Sequence, residues 1–278
     1  MRSNIIIIIF ITIIFSSCNN LFAKKENSIF IFKANGLVTL GNYIYGEKPK
    51  NSLEPGFRSN FRVYFDIIRY KKLILNFLIA NTTTIGKNDE SFIDLDKIRY
   101  TLSPGFRYEY QKWIINGLLL HECLHTISRD EINGSTWWNA FQIGAGTRGS
   151  YHYYLVDKYN SHDFSLSNSF DINQNFGFYL YGEESSLIIQ NHNYRIDEFG
   201  LIRYHFGSIG NKSFYVDLNH RAWYDANQKI TAKLSLEGNL ILKAKSNFVS
   251  IYFRHCFIDE NPHDNEKGLG VIGFKLIF

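Results

Sequence analysis

The sequence predicts an all-β fold, a single antiparallel transmembrane β-barrel of about 12–14 strands, even-numbered as single-chain barrels are. Three observations carry this. From residue 30 onward the dominant hydrophobic period is two, recurring in segments of about ten residues. The chain opens on an export segment. It closes on GLGVIGFKLIF, where Ile272, Phe274 and Leu276 are apolar and Gly273 and Lys275 lie between them.

The export segment is Met1–Ala23. Arg2 supplies a short positive region, and Ile5–Phe15 is apolar apart from Thr12. That run is too short to cross a bilayer as a helix. Leu21-Phe22-Ala23 resembles an ordinary signal-peptidase site and Phe15-Ser16-Ser17-Cys18 a lipoprotein box. Both readings stay open, and the first makes 24–278 the mature barrel. The formal charge of +4 comes without a basic run, which excludes a nucleic-acid partner. After cleavage Cys123 and Cys256 remain, too few for a disulfide framework, although one bridge between them stays open.

Taken in order, the expected strands cover 33–45, 57–68, 72–82, 97–109, 113–127, 136–147, 150–159, 162–171, 175–189, 196–207, 212–222, 229–244, 248–257 and 268–278. The region 150–195 is the least regular, so twelve strands fit as well as fourteen. In 57–68, Phe61, Val63, Phe65 and Ile67 alternate with Arg62, Tyr64 and Asp66. In 196–207, Ile202, Tyr204 and Phe206 alternate with Arg203 and His205. The longest case is 229–243. Ile230, Ala232, Leu234, Leu236, Leu240 and Leu242 hold even positions, and Lys229, Thr231, Lys233, Ser235, Glu237, Asn239 and Lys243 hold odd ones. A strand of that length reaches on the order of 50 Å at ~3.3 Å per residue, which suits a tilted membrane crossing. Connections alternate between tight (70–71, 111–112, 146–149, 208–211, 245–247) and long (46–56, 81–96, 183–195, 258–267), as periplasmic turns and outer loops do. No second domain, internal repeat or low-complexity tract stands out.

Alternation gives each strand two faces without saying which points inward. The export segment and the Tyr and Phe residues near strand ends favour lipid outside, the aromatics serving as interfacial girdles. The final stretch resembles the closing strand of bacterial outer-membrane β-barrel proteins. That resemblance implies a bacterial outer-membrane location, membrane lipids as surroundings, and the outer-membrane assembly machinery as a partner that reads Phe278. It leaves the oligomeric state open. The expected role is structural or porin-like, with no cofactor. Arg62, Asp66, Arg99, Arg107, Glu109, Arg203, Asp217, Lys233 and Glu237 share the polar face, so a lumen of mixed charge is expected, with no strong ion preference.

The densest chemistry lies in Trp113–Glu131, WIINGLLLHECLHTISRDE. On a strand, His121, Cys123 and His125 share one face and Glu122 and Leu124 the other. A two-residue turn at Gln111-Lys112 sets Tyr110 opposite Trp113, which sends the histidines toward lipid; a three-residue turn sends them into the lumen. His121-Glu122-Cys123 resembles the H-x-S dyad of outer-membrane lipid hydrolases (lipid A deacylases and phospholipases), with Cys in place of Ser. The resemblance implies His121 as general base, Cys123 as nucleophile, and Asp130 or Glu131 orienting the imidazole; His125 has no counterpart in that dyad. Leu124 departs from the Asn usual after that Ser. The segment also resembles, loosely, an uncharacterised family of bacterial outer-membrane proteins with a histidine- and serine-rich strand before an Asp-Glu pair. On a helix the same residues form H-E-x-x-H, and His121, Glu122 and His125 would be a zinc-peptidase site.

Overall fold

The computed structural model describes residues 30–45, 54–87, 94–127, 133–151, 169–184, 194–209, 212–226, 228–244, 247–260 and 266–278. The expected export segment, 1–23, and the residues Asp130 and Glu131 lie outside them. Twelve strands form: β1 (Phe30–Tyr45), β2 (Glu54–Tyr70), β3 (Leu73–Lys87), β4 (Asp94–Tyr110), β5 (Trp113–Ile127), β6 (Asn133–Thr147), β7 (Ser169–Glu184), β8 (Tyr194–Ile209), β9 (Lys212–Asp225), β10 (Ile230–Ala244), β11 (Asn247–Asp259) and β12 (Gly270–Ile277). They pair antiparallel in sequence order around a closed ring, and β1 meets β12 at the seam.

Twelve is the lower end of the expected range. Strands were expected over 150–159 and 162–171, but β6 pairs directly with β7, from Gly146↔Asn173 to Thr136↔Glu184. The ring has no place for two more strands there. Residues 152–168 lie outside the described residues, and β7 starts at Ser169 rather than 175. Nor is 146–149 a tight hairpin. Arg148–Ser150 makes one 3-10 turn with Gly149 and Ser150 buried. The Gly149 carbonyl accepts from Arg203 Nη1 at 2.9 Å, and the Tyr151 hydroxyl donates to Asn116 Oδ1 at 2.9 Å. Alternating Tyr and His residues satisfy a period of two without specifying a ladder partner, which is why pattern alone overcounts here.

The two faces are those of a membrane barrel. Leu102, Leu119, Phe176, Ile202, Leu236, Ile251 and Phe274 are exposed on the outside, while Asp66, Arg107, Arg203, Asp217, Asn239 and Lys275 are buried inside. A soluble barrel would show the reverse, since exposed apolar area on this scale is stable only against lipid. The inward charges neutralise one another. Arg203 grips Asp217 through Nε–Oδ1 and Nη2–Oδ2, both 2.7 Å. Arg107 holds Asp66 through two parallel bonds, and Lys275 reaches Glu237. Bidentate pairing of this kind is the geometry that makes a guanidinium tolerable away from bulk water.

Both ends of the lumen are occupied. Toward the tight-turn end, Leu37, Tyr215, Ile241, Phe248 and Ile277 form an apolar knot inside the wall. Toward the other end, Glu266, just before β12, is buried. Its carboxylate meets Arg58, Lys233 and Arg254 and accepts from the Tyr43 hydroxyl at 3.1 Å.

At the seam the closing strand points Ile272, Phe274 and Leu276 outward, as expected. The last residue also joins the ladder: Gly36 N–H donates to the Phe278 carbonyl at 2.7 Å, and Phe278 N–H to the Gly36 carbonyl at 3.1 Å. The Phe278 ring lies over Gly36, where an added Cβ would meet Cζ at 2.5 Å. Only glycine admits the ring there.

Candidate functional site

The orientation of β5 follows from one turn. Gln111 takes a left-handed φ of 52°, the turn is two residues long, and Tyr110 pairs with Trp113. Alternation then sends Trp113, Ile115, Leu119, His121, Cys123 and His125 outward, while Ile114, Leu118, Leu120, Glu122 and Leu124 are buried on the lumen side. β4 sets Tyr100 opposite Cys123 and Leu102 opposite His121; β6 sets Trp137 opposite Cys123 and Asn139 opposite His121.

Within this outward patch the contacts are specific. Cys123 Sγ lies 3.1 Å from His125 Nε2. His121 Nδ1 lies 2.9 Å from Asn139 Oδ1 on the neighbouring strand. Aromatic rings frame both histidines, with Tyr100 6.0 Å from His125 and Trp137 6.2 Å from His121, centroid to centroid. Four polar side chains therefore sit together on an otherwise apolar wall.

The pairing differs from the simplest expectation. The thiol's close imidazole is His125 rather than His121, and His121 is instead held by an amide. Asn139 was not anticipated, although its signal is visible in retrospect: in Trp137, Asn139, Phe141, Ile143 it is the one polar member of an outward set. Glu122 faces the lumen, 3.5 Å from Arg99 Nε and within 3.4 Å of the Thr101 hydroxyl.

These placements remove the zinc-peptidase reading. H-E-x-x-H needs a helix to bring both imidazoles to one ion at about 2.0–2.1 Å each. In extended β5, residues four apart stand roughly 13 Å apart along the strand, and Glu122 points to the opposite face. The disulfide left open by the sequence is removed too: Cys123 is outward on β5, Cys256 is buried on β11, and both are free.

Elsewhere, Cys256, Asp259 and Glu266 bring potential metal-ligand atoms within 4.8 Å of one another. The Lys233 ammonium already stands there, 2.7 Å from Asp259 and 2.8 Å from Glu266, and supplies the cation. Inside the lumen a cavity of about 270 Å³ is lined by Tyr64, Asn76, Glu122, Gln142, Asn175 and Arg221, among others.

No family model and no curated protein sequence matches the chain. Among solved structures it is similar to outer membrane phospholipase A from Escherichia coli, with a TM-score of 0.48, 9% identity, and 92% of this chain and 94% of that one covered. It is also similar to the translocator domain of the autotransporter NalP from Neisseria meningitidis (TM-score 0.43, 8% identity, 99% and 96% covered). A third is a loop-deletion mutant of OmpT from Vibrio cholerae (0.41, 6%, 90% and 99%). At these values the likenesses assign no activity. The closed ring, apolar exterior and charged interior identify an integral β-barrel protein of the bacterial outer membrane.

Proposed function

We propose that this barrel is a non-conducting integral protein of the outer membrane whose chemistry lies on its lipid-facing wall. The observation that supports a structural rather than porin-like role is the filled lumen. Arg203, His205, Asp197, Asn239 and Ser250, all inward, are at most 1% exposed, whereas the wall of an open channel is wetted. In planar bilayers the full chain should add no steady ionic conductance. Stable, salt-dependent single-channel steps would establish a pore instead.

The contact between Cys123 and His125 favours a second, more specific reading: hydrolysis of acyl esters in membrane lipid. Polar groups facing lipid are costly and mark function by default. At 3.1 Å the thiol can pass its proton to His125 Nε2. The thiolate then attacks an ester carbonyl, and the alkoxide departs with the proton returned from the imidazolium, leaving a thioester. A water deprotonated by His125 cleaves that thioester, releases the fatty acid and restores the thiol. His121, steered by Asn139, is the second imidazole beside the reacting carbonyl. Fatty-acid release from phospholipid and lipid A in mixed micelles tests this. Cys123→Ala and His125→Ala should each cut turnover at least 100-fold, the low end of the ~10²–10⁴-fold contributed by a general base. Turnover that survives both substitutions, or none in wild type, would remove the reading.

A further inference from the structure

A second polar cluster stands on the outer wall, on β7–β9, away from the β4–β6 patch. On the outward faces of these strands, Gln174 Nε2 donates to Glu198 Oε1 at 2.9 Å, and His220 Nε2 lies 3.7 Å from the same oxygen. Glu198 and His220 remain 36% and 34% exposed, and Glu198 Oε2 has no partner among the described residues. The side chains close over Gly200, where an added Cβ would meet Gln174 Oε1 at 2.5 Å and His220 Cε1 at 2.6 Å.

The surroundings fix the depth. Outward neighbours along each strand carry no polar side chain: Ile172 and Phe176 around Gln174, Ile196 and Gly200 (then Ile202) around Glu198, Leu218 and Ala222 around His220. The cluster thus sits within the apolar belt, where polar lipid headgroups do not reach without deforming the bilayer. A carboxylate and an imidazole left open to hydrocarbon call for a covering surface that carries both a donor and an acceptor.

We propose that this face of the barrel docks against a second copy of the chain, side by side in the membrane. The argument is self-complementarity. The patch presents an open acceptor (Glu198 Oε2) beside donors (His220 and the second amide hydrogen of Gln174). A two-fold axis along the membrane normal places each opposite its counterpart. Ile202 and Leu218, paired across β8 and β9, supply the apolar rim.

Disulfide trapping in proteoliposomes tests this on the full chain, with Cys123→Ser as background to remove the other lipid-facing thiol. Ile202→Cys should oxidise to a covalent dimer at high lipid-to-protein ratio, whereas Leu102→Cys on the β4 wall should give at least 10-fold less. Adding Glu198→Leu should lower the Ile202→Cys yield at least 10-fold. Glu198→Gln, which keeps shape and hydrogen bonding, should lower it less and serves if the leucine variant does not insert. Equal crosslinking at Ile202 and Leu102, a yield indifferent to both Glu198 substitutions, or a monomeric wild type that retains tightly bound lipid would each overturn the proposal.

Discussion

Arg107 and Asp66 face the lumen from β4 and β2, with β3 between them, and meet because the intervening inward positions are Asn76 and Gly105. Each is nearly inaccessible, at 3% and 1% exposure. Replacing Arg107 with Ala leaves a carboxylate buried without its cation and should cost about 3–5 kcal/mol in urea unfolding from liposomes. Pairing that change with Asp66→Leu should recover most of the loss, because two well-packed apolar groups replace a buried ion pair at little net cost. Equal destabilisation by the single and double variants would contradict this. The mixed charge of the lumen was readable from the sequence, since Asp66, Arg107, Arg203 and Asp217 fell on one face by alternation alone. The partnerships were not. They depend on register across several strands, which no local pattern encodes.

β10 shows how far a single element can be trusted. Its even positions were expected outside, and Leu236, Leu240 and Ile230 are exposed there. Leu234→Arg should cost ~2–4 kcal/mol if it lies near the midplane. The odd positions carry more than alternation suggests. Lys233 neutralises Asp259, whose side chain is fully buried, and touches Glu266. With those contacts in place, Lys233→Gln should destabilise measurably. Comparing the two variants with wild type by the fraction of folded, heat-modifiable barrel at rising urea checks both, and an unaffected Lys233→Gln would show that Asp259 and Glu266 are satisfied without it. Likewise in β5, that His121, Cys123 and His125 share one face was legible, while the direction of that face stayed open between two turn lengths until the two-residue turn decided it. The choice of His125 over His121 as the thiol's neighbour was not legible, because it is a matter of rotamers. Nor was Asn139, which arrives from β6 only once the ladder is formed.

For the molecule as a whole, the ring topology was the most legible feature, and the strand count after β6 the least. Alternation plus a closing signal implied a barrel, whereas only pairing β6 with β7 excludes two surplus strands. Closure depends on β12 meeting β1. Phe278 bonds to Gly36 through both backbone groups and covers it with its ring. Deleting Phe278 should lower the yield of folded protein in the outer membrane, and Gly36→Val should do the same by displacing the ring. A normal yield from both, read by protease resistance of intact cells, would show that the contact is dispensable.

That contact makes completeness a condition of sealing. A product that ended before β12 would leave two rows of unpaired amides facing hydrocarbon, one on β1 and one on β11, and neither could be hidden by twisting. Every earlier intermediate shares the defect, so the wall has no stable partial form in lipid. β12 thus acts as the closing piece: the wall seals in lipid only when that strand can pair with β11 on one side and β1 on the other.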